Sequence, residues 1–272
     1  MSPKGDYRLI AIDLDGTLID DRLTISPRVK QALAAAQAQG ITVTLASGRM
    51  FRAMVPFARE LNIEAPLVCY QGGLVRDPVS EETIFHLPVP AALAQEVVTL
   101  ARAGGIQVNA FIDDRLHVES LSPEAEVYMR IAQVEATEVP DLLDFLNENP
   151  STKLVLVNLD EDKTNSLVEA MTAHFGSRLG ITKSHRYYTE AIHADVSKGR
   201  ALKQLAGVMG LSLGQVVGIG DNLNDLSLVE TAGFGVAMGN GDPRVKAAAD
   251  FVTTTYEEDG VAVAIEKHVL HA

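Results

Sequence analysis

The chain is poor in the features that mark several protein classes. It holds one cysteine, Cys69, in 272 residues, which excludes an internal disulfide framework and fits a reducing compartment. No run approaches the ~20 consecutive apolar residues that a membrane-spanning helix needs. The opening MSPKGDYRLIAIDLDGTL breaks its apolar stretch with Asp13 and Asp15, unlike the uncharged core of a signal peptide. The expectation is a cytoplasmic protein without a membrane partner. Heptads, internal repeats and low-complexity tracts are absent too, so a coiled coil, a solenoid and a linker are excluded. Basic residues are scarce: 23 Lys and Arg face 36 Asp and Glu, for a net charge of -13. With no Lys/Arg-rich stripe to compensate, a nucleic-acid backbone would be repelled, and nucleic acid is not the expected partner.

What is present is a hydrophobic fraction of 47%, enough over this length to bury a full core in one large domain or two modest ones. The N-terminal third reads as alternating strand and helix. Residues 8–14 form a continuous apolar run like a strand buried on both faces. Ser26 can cap a following helix, Pro27 suits its first position, the Ala-rich run reaches Gln39, and Gly40 can end it. Residues 41–46 and 67–70 read as second and third strands, and strands alternating with helices imply a parallel sheet.

At Pro88 and Pro90 the character changes to strand-like pieces in adjacent pairs. Residues 107–112 and 116–121 flank Asp113-Asp114-Arg115, a plausible hairpin turn. Helical patterns at 123–132, 140–147 and 162–175 and strands at 153–159, 179–183 and 187–192 complete a separate α+β module. After Lys198 the strand-helix alternation returns to the end of the chain. The expected fold is therefore α/β, a Rossmann-like parallel-sheet core of residues 1–84 and 193–272 with an inserted α+β domain at 85–192.

The chemistry-bearing residues stand at the ends of the core strands. Asp13-Leu14-Asp15-Gly16-Thr17 closes the first strand, where a period of two sends both carboxylates to one side, and ligands of open parallel sheets bind just beyond such ends. Two acids there can divide labour, one ionised as nucleophile and one protonated as general acid. Gly16 permits close approach of a ligand, and Thr17 offers a hydroxyl and an N–H to an anion. Ser47-Gly48-Arg49 ends the second strand: a hydroxyl, the N–H groups of a Gly turn and a helix start make a phosphate cradle, to which Arg49 could add a fork. Ser-Gly is also a common loop dipeptide. Ser197-Lys198-Gly199 puts an ammonium at a helix N-terminus, unfavourable for the dipole unless an anion binds there, although a snorkelling surface lysine would look the same. Gly218-Ile219-Gly220-Asp221-Asn222-Leu223-Asn224-Asp225 supplies two more carboxylates. Magnesium prefers few carboxylates with retained waters, so Asp13, Asp221 and a backbone carbonyl would suffice, while Asn222 caps the next helix. A phosphate ester approaching so acidic a protein needs such a cation, a lysine and N–H groups to offset the charge.

With D-L-D-G-T, S-G-R, S-K-G and G-D-N-L-N-D in this order, the sequence resembles the haloacid dehalogenase superfamily and, within it, the Cof-type phosphatases. Residues 235–250 and 258–262 fit the same pattern. The resemblance implies Asp13 as the nucleophile that forms an aspartyl-phosphate and Asp15 as the acid and base, lending its carbonyl to the metal. It implies Ser47, Gly48, Arg49, Lys198 and Asn224 around the phosphate, Asp221 on Mg2+, and Asp225 as a ligand or a support of the metal. The inserted domain stands where this family carries its larger cap, which selects the leaving group. The substrate would be a small phosphorylated metabolite, namely a sugar phosphate, nucleotide or cofactor phosphate, and the assembly a monomer or weak homodimer. Gln71-Gly72, Ala194-Asp195 and Tyr256 depart from the family pattern, which commonly has Asn-Gly, a Pro and Gly, and Asn there. A phosphosugar mutase and a non-enzymatic aspartate phospho-acceptor are the alternatives. In the inserted domain Arg115, His117, Arg186, Tyr187 and Tyr188 could reach a substrate, though polar side chains on strands and loops are more often structural or solvated. Cys69 is most simply a buried apolar residue.

Overall fold

A computed structural model describes residues 6–20 and 22–270. Residues 1–5, which open the segment read against a signal peptide, lie outside the described residues, as do residues 21, 271 and 272. The chain divides into two compact units, Met1–Phe85 with Ser197–Ala272, and His86–Val196.

The first unit opens with β1 (Leu9–Ile12), buried along its whole length. Helix α1 (Pro27–Ala38) follows, and its cap is the one the sequence suggests: Ser26 Oγ accepts from the Val29 N–H at 3.2 Å. Gly40 takes φ +79°, a conformation glycine adopts without strain. Next come β2 (Thr42–Leu45), α2 (Phe51–Glu60), β3 (Leu67–Cys69), β4 (Leu74–Arg76) and β5 (Thr83–His86). The expected third strand meets the parallel sheet with parallel sense at a single bridge and has its main pairing elsewhere. β3 touches the parallel sheet through one bridge, Ala46 to Val68, and pairs antiparallel with β4 in a separate sheet ordered β3-β4-β5. Only four residues separate Cys69 from β4, and so short a connection can return a strand only antiparallel.

The second unit contains α3 (Ala91–Ala103), β6 (Gln107–Ile112), β7 (Arg115–Val118), α4 (Pro123–Ala132), β8 (Ala136–Glu138), α5 (Leu142–Glu148), β9 (Ser151–Val157), α6 (Glu161–Phe175), β10 (Leu179–His185) and β11 (Tyr188–His193). Its first element after Pro90 is thus a helix, in a stretch to which the sequence pattern assigns no element, and the expected strand pair follows it. Ala94, Val97, Val98 and Ala101 recur at helical spacing and are buried against Leu154 and Leu156. The hairpin turn is two residues: Asp113 and Asp114 take φ +47° and +55°, and Arg115 already belongs to β7. The sheet runs β10-β11-β9-β6-β7-β8, antiparallel except for the parallel pair β7 and β8 joined through α4.

The chain then completes the first unit with α7 (Lys198–Val208), β12 (Val216–Gly220), α8 (Leu226–Thr231), β13 (Phe234–Ala237), α9 (Pro243–Ala248), β14 (Phe251–Val252) and α10 (Gly260–His268). Its five-stranded sheet, ordered β14-β13-β12-β1-β2, is parallel throughout. Because β1 lies between β12 and β2, with Ile12 level with both Ile219 and Leu45, the residues that follow these three strands emerge side by side at one edge. Among the described residues no helix is long and apolar enough to cross a membrane.

Candidate active site

Asp13 is the first residue beyond β1, anchored by its N–H to the Ile219 carbonyl at 2.9 Å and almost wholly buried. Its Oδ1 accepts a hydrogen bond from Lys198 Nζ at 2.5 Å, and the same ammonium donates to Asp225 Oδ1. Lys198 is fully buried, which rules out the snorkelling surface lysine. It sits at the first position of α7, after the cap Ser197, whose Oγ accepts from the Arg200 N–H. The anions that hold the ammonium at this unfavourable helix end are the protein's own carboxylates.

Asp225 is spoken for on both oxygens. Oδ1 faces Lys198, while Oδ2 accepts from the N–H groups of Asp221 and Asn222, each at 3.0 Å. That carboxylate therefore shapes the turn that presents Asp221, with Asn222 Oδ1 capping it through the Leu223 N–H at 2.8 Å. Asp221 in turn accepts from Thr17 Oγ1 at 2.9 Å, so the Thr17 hydroxyl serves a carboxylate of the protein. Gly16, at φ +78°, lets the two strand ends come this close: a Cβ there would lie 2.8 Å from Asp221 Oδ2. The segment after β13 closes the arrangement. Asn240 Nδ2 donates to the Gly16 carbonyl and the Asp242 N–H to the Asp221 carbonyl, both at 2.8 Å.

Asp15 lies apart from this cluster, with its carboxylate exposed and gripped by Arg49 through Nη2 to Oδ1 at 2.6 Å and Nε to Oδ2 at 2.9 Å. The two acids of the first motif thus have different partners, and the Arg49 fork is engaged by Asp15. Ser47 is buried, and its Oγ accepts from the Arg49 N–H at 3.2 Å. A Cβ on Gly48 would meet Gln71 Nε2 at 2.4 Å. The Gln71 Oε1 accepts from Asn224 Nδ2 at 2.9 Å, joining the second and fourth motifs. In the sequence Gln71 stands out only as a departure from the family pattern. Its place at the site depends on a left-handed run, with Tyr70, Gln71 and Gly72 at φ +51°, +60° and +101°, which no residue type before Gly72 announces. Cys69 is buried in β3.

Oxygens of Asp13, Asp221 and Asp225 lie within 4.8 Å of one another. Burial, and then the Asp225 charge, push the Asp13 carboxyl up, while Lys198 pulls it back. Burial and Asp225 likewise push Asp221 up to about 6. For Lys198 burial is the largest influence and opposes its charge, but Asp13 and Asp225 together outweigh it and push the ammonium up. Were all three carboxylates ionised, one ammonium would leave two negative charges uncompensated in a mostly buried space. A hard divalent cation with oxygen ligands fits such a donor set, and Asp13 and Asp221 are the members whose oxygens are less fully used by the protein.

The sequence profile of the haloacid dehalogenase-like hydrolases matches residues 10–265. The chain is similar to pyridoxal phosphate phosphatase YbhA of Escherichia coli (strain K12), 29% identical over 97% of this chain and 99% of the relative. It is similar to 5-amino-6-(5-phospho-D-ribitylamino)uracil phosphatase YwtE of Bacillus subtilis (strain 168), 28% identical over 96% of this chain and 97% of the relative. Among solved structures, a haloacid dehalogenase-like hydrolase from Bacteroides thetaiotaomicron superposes with a TM-score of 0.85 at 32% identity, covering 96% of this chain and 99% of the other. Buried Asp13 after a central parallel strand, Lys198 bridging it to Asp225, and a match that spans both chain segments of the parallel sheet lead to one assignment: the chain belongs to the haloacid dehalogenase-like hydrolases.

Proposed function

We propose that the protein is a Mg2+-dependent phosphatase that hydrolyses small phosphate monoesters through an aspartyl-phosphate on Asp13. The observation that carries this reading is the excess of negative charge around a buried lysine, with Asp13, Asp221 and Asp225 gathered within 4.8 Å beside Lys198. An anionic substrate can approach only where that excess is offset. Mg2+ held by Asp13 and Asp221, with the Asp15 carbonyl, would supply that charge neutralisation to the phosphoryl oxygens.

The residues of the chain then divide the remaining work. Lys198 fixes the rotation of the Asp13 carboxylate, so that an oxygen attacks phosphorus as the bond to the leaving oxygen breaks. Asp15, once one of its two hydrogen bonds from Arg49 has opened, gives that leaving oxygen its proton. In the second step a water attacks phosphorus, Asp15 takes the water's proton, and the bond to Asp13 breaks to release inorganic phosphate. Arg49 orients Asp15 through its two hydrogen bonds, and Asp225 positions Lys198 and the Asp221 turn. Since the Ser47 N–H is held by the Val68 carbonyl at 2.9 Å, the Ser47 hydroxyl and the Gly48 N–H, with Lys198 and Asn224, receive the phosphoryl group, and most of the rate comes from positioning and charge.

The unit His86–Val196 acts in this reading as the cap that selects the leaving group. Two relatives of nearly equal identity are named for different small phosphorylated molecules, so identity alone does not choose between them. The substrate class is a small phosphorylated metabolite, and a net charge of -13 disfavours a nucleic-acid substrate. The test is release of phosphate from p-nitrophenyl phosphate. Turnover is expected to require Mg2+, to vanish in excess chelator and to fall by at least ~10³-fold in Asp13→Asn. Undiminished turnover by that variant, or full activity in chelator, would overturn the mechanism.

A further inference from the structure

The turn that follows β3 does more than connect two strands. Its Tyr70 N–H donates to the Arg49 carbonyl at 2.9 Å and its Gln71 N–H to the Ser47 carbonyl at 3.0 Å, so it is stitched across both ends of the Ser47-Gly48-Arg49 turn. On its other side Gly72 lies against the start of α7: a Cβ there would meet the Ser197 carbonyl oxygen at 2.3 Å. Tyr70 and Gln71, neither of them glycine, hold positive φ within this span. Side chains other than glycine adopt that conformation at a cost, and it persists where surroundings over-determine it.

The conformation places the Gln71 side chain between Gly48 and Asn224. Because Oε1 accepts from Asn224 Nδ2 at 2.9 Å, the orientation of the Gln71 amide is set, and the end that faces Gly48 is Nε2. Gly48 has no Cβ to stand in the way, and any side chain there would collide with Nε2. A donor with two N–H groups is thus turned onto the Gly48 turn at the end of the second parallel strand, where ligands of such sheets bind. We propose that Gln71 is a phosphate-binding residue, held by Asn224 and presenting Nε2 across Gly48 to the phosphoryl oxygens. The inference rests on the phosphatase reading and adds to the cradle a donor from outside the four strand-end motifs.

Three variants separate this role from a merely structural brace. Gln71→Glu keeps the length and the oxygen that Asn224 binds but replaces the donor with a carboxylate oxygen. Gln71→Ala removes both. For a donor facing phosphate, Gln71→Glu is the worse variant. It should raise KM for p-nitrophenyl phosphate and the inhibition constant of inorganic phosphate together by ~30-fold or more, against ~10-fold for Gln71→Ala. A brace gives the opposite order, with Gln71→Glu close to wild type, and that result would overturn the proposal. Should the glutamate variant fail to fold, Gln71→Asn keeps a donor amide in a residue that tolerates positive φ. It should retain more phosphate affinity than Gln71→Ala, and equal losses count against the role. If the wild-type protein releases no phosphate from any ester, the phosphatase reading fails. Calorimetric binding of inorganic phosphate in the presence of Mg2+ still ranks the same variants, and loss of that ranking sinks the Gln71 role separately.

Discussion

Two buried lysines, one in each unit, show how charge balance separates a scaffold from a site. Lys153 on β9 pairs with Glu190 on β11 at 2.8 Å, both side chains under a tenth exposed, with the ammonium 5.2 Å over the Phe111 ring. Glu190 stands opposite Val155, so it is the diagonal neighbour of Lys153 across the ladder. One positive charge meets one negative charge. Lys198 has two carboxylates in contact and a third close by. Its surplus of negative charge costs stability unless something cationic joins it. The same residue type, buried in both units, is therefore charge-balanced in one and outnumbered by carboxylates in the other, where the proposed function gives it a chemical role.

Replacing each lysine by methionine tests that contrast most sharply. Lys198→Met should lower turnover by ~10³-fold, as expected for loss of a group that orients a nucleophile and meets the transferring phosphoryl charge. Lys153→Met should leave turnover of a generic aryl phosphate within a few-fold but cost ~3–5 kcal/mol in denaturant unfolding, because Glu190 is stranded. Adding Glu190→Leu should recover most of that loss. Equal kinetic damage from both lysine variants would erase the distinction.

Removing the surplus charge should sharpen it. In chelator, stability should decline as pH rises from about 4 to about 6. Asp221 is pushed up to about 6 when folded, against ~3.9 in an unfolded chain, so between these values the folded state binds more protons and each rise in pH favours unfolding. The upward push on Asp13 has the same sign. Thermal melts across this range should show the decline, Mg2+ should reverse it above pH 6, and Asp221→Asn should flatten it while abolishing metal-dependent turnover. A stability that rises through this window in chelator would contradict the charge account. The smallest effect is expected at the rim: Arg49→Ala frees the exposed Asp15 carboxylate and should lower kcat by ~10-fold with little change in melting temperature. No change in kcat would remove Arg49 from the orienting role.

Where local signals were strong, the sequence anticipated the fold. Ser26 and Pro27 mark the start of α1, Pro123–Ala132 is helical as its pattern predicts, and Phe234–Ala237 is a strand. Helix α3 was masked by Pro88 and Pro90 and by Val97, Val98 and Thr99, whose branching suits strands. It also lacks a side-chain cap at Pro90, so nothing local announced it. Strand β14 is two residues long and is defined by its partner β13. At the site, the four motifs mark which residues carry oxygen and charge. Their partners are another matter: spacing could not reveal that Thr17 serves Asp221, that Arg49 grips Asp15, or that Gln71 joins Gly48 to Asn224.

By itself, then, the sequence determined the chemical inventory and the strand ends that carry it, because periodicity, capping and turn chemistry act over a few neighbouring residues. Tertiary structure decided the pairing. Asp13 and Lys198 are 185 positions apart in the chain and 2.5 Å apart in space. Such a contact exists only once a parallel sheet has set β1 between β2 and β12 and burial has removed the water that would otherwise keep each charge apart.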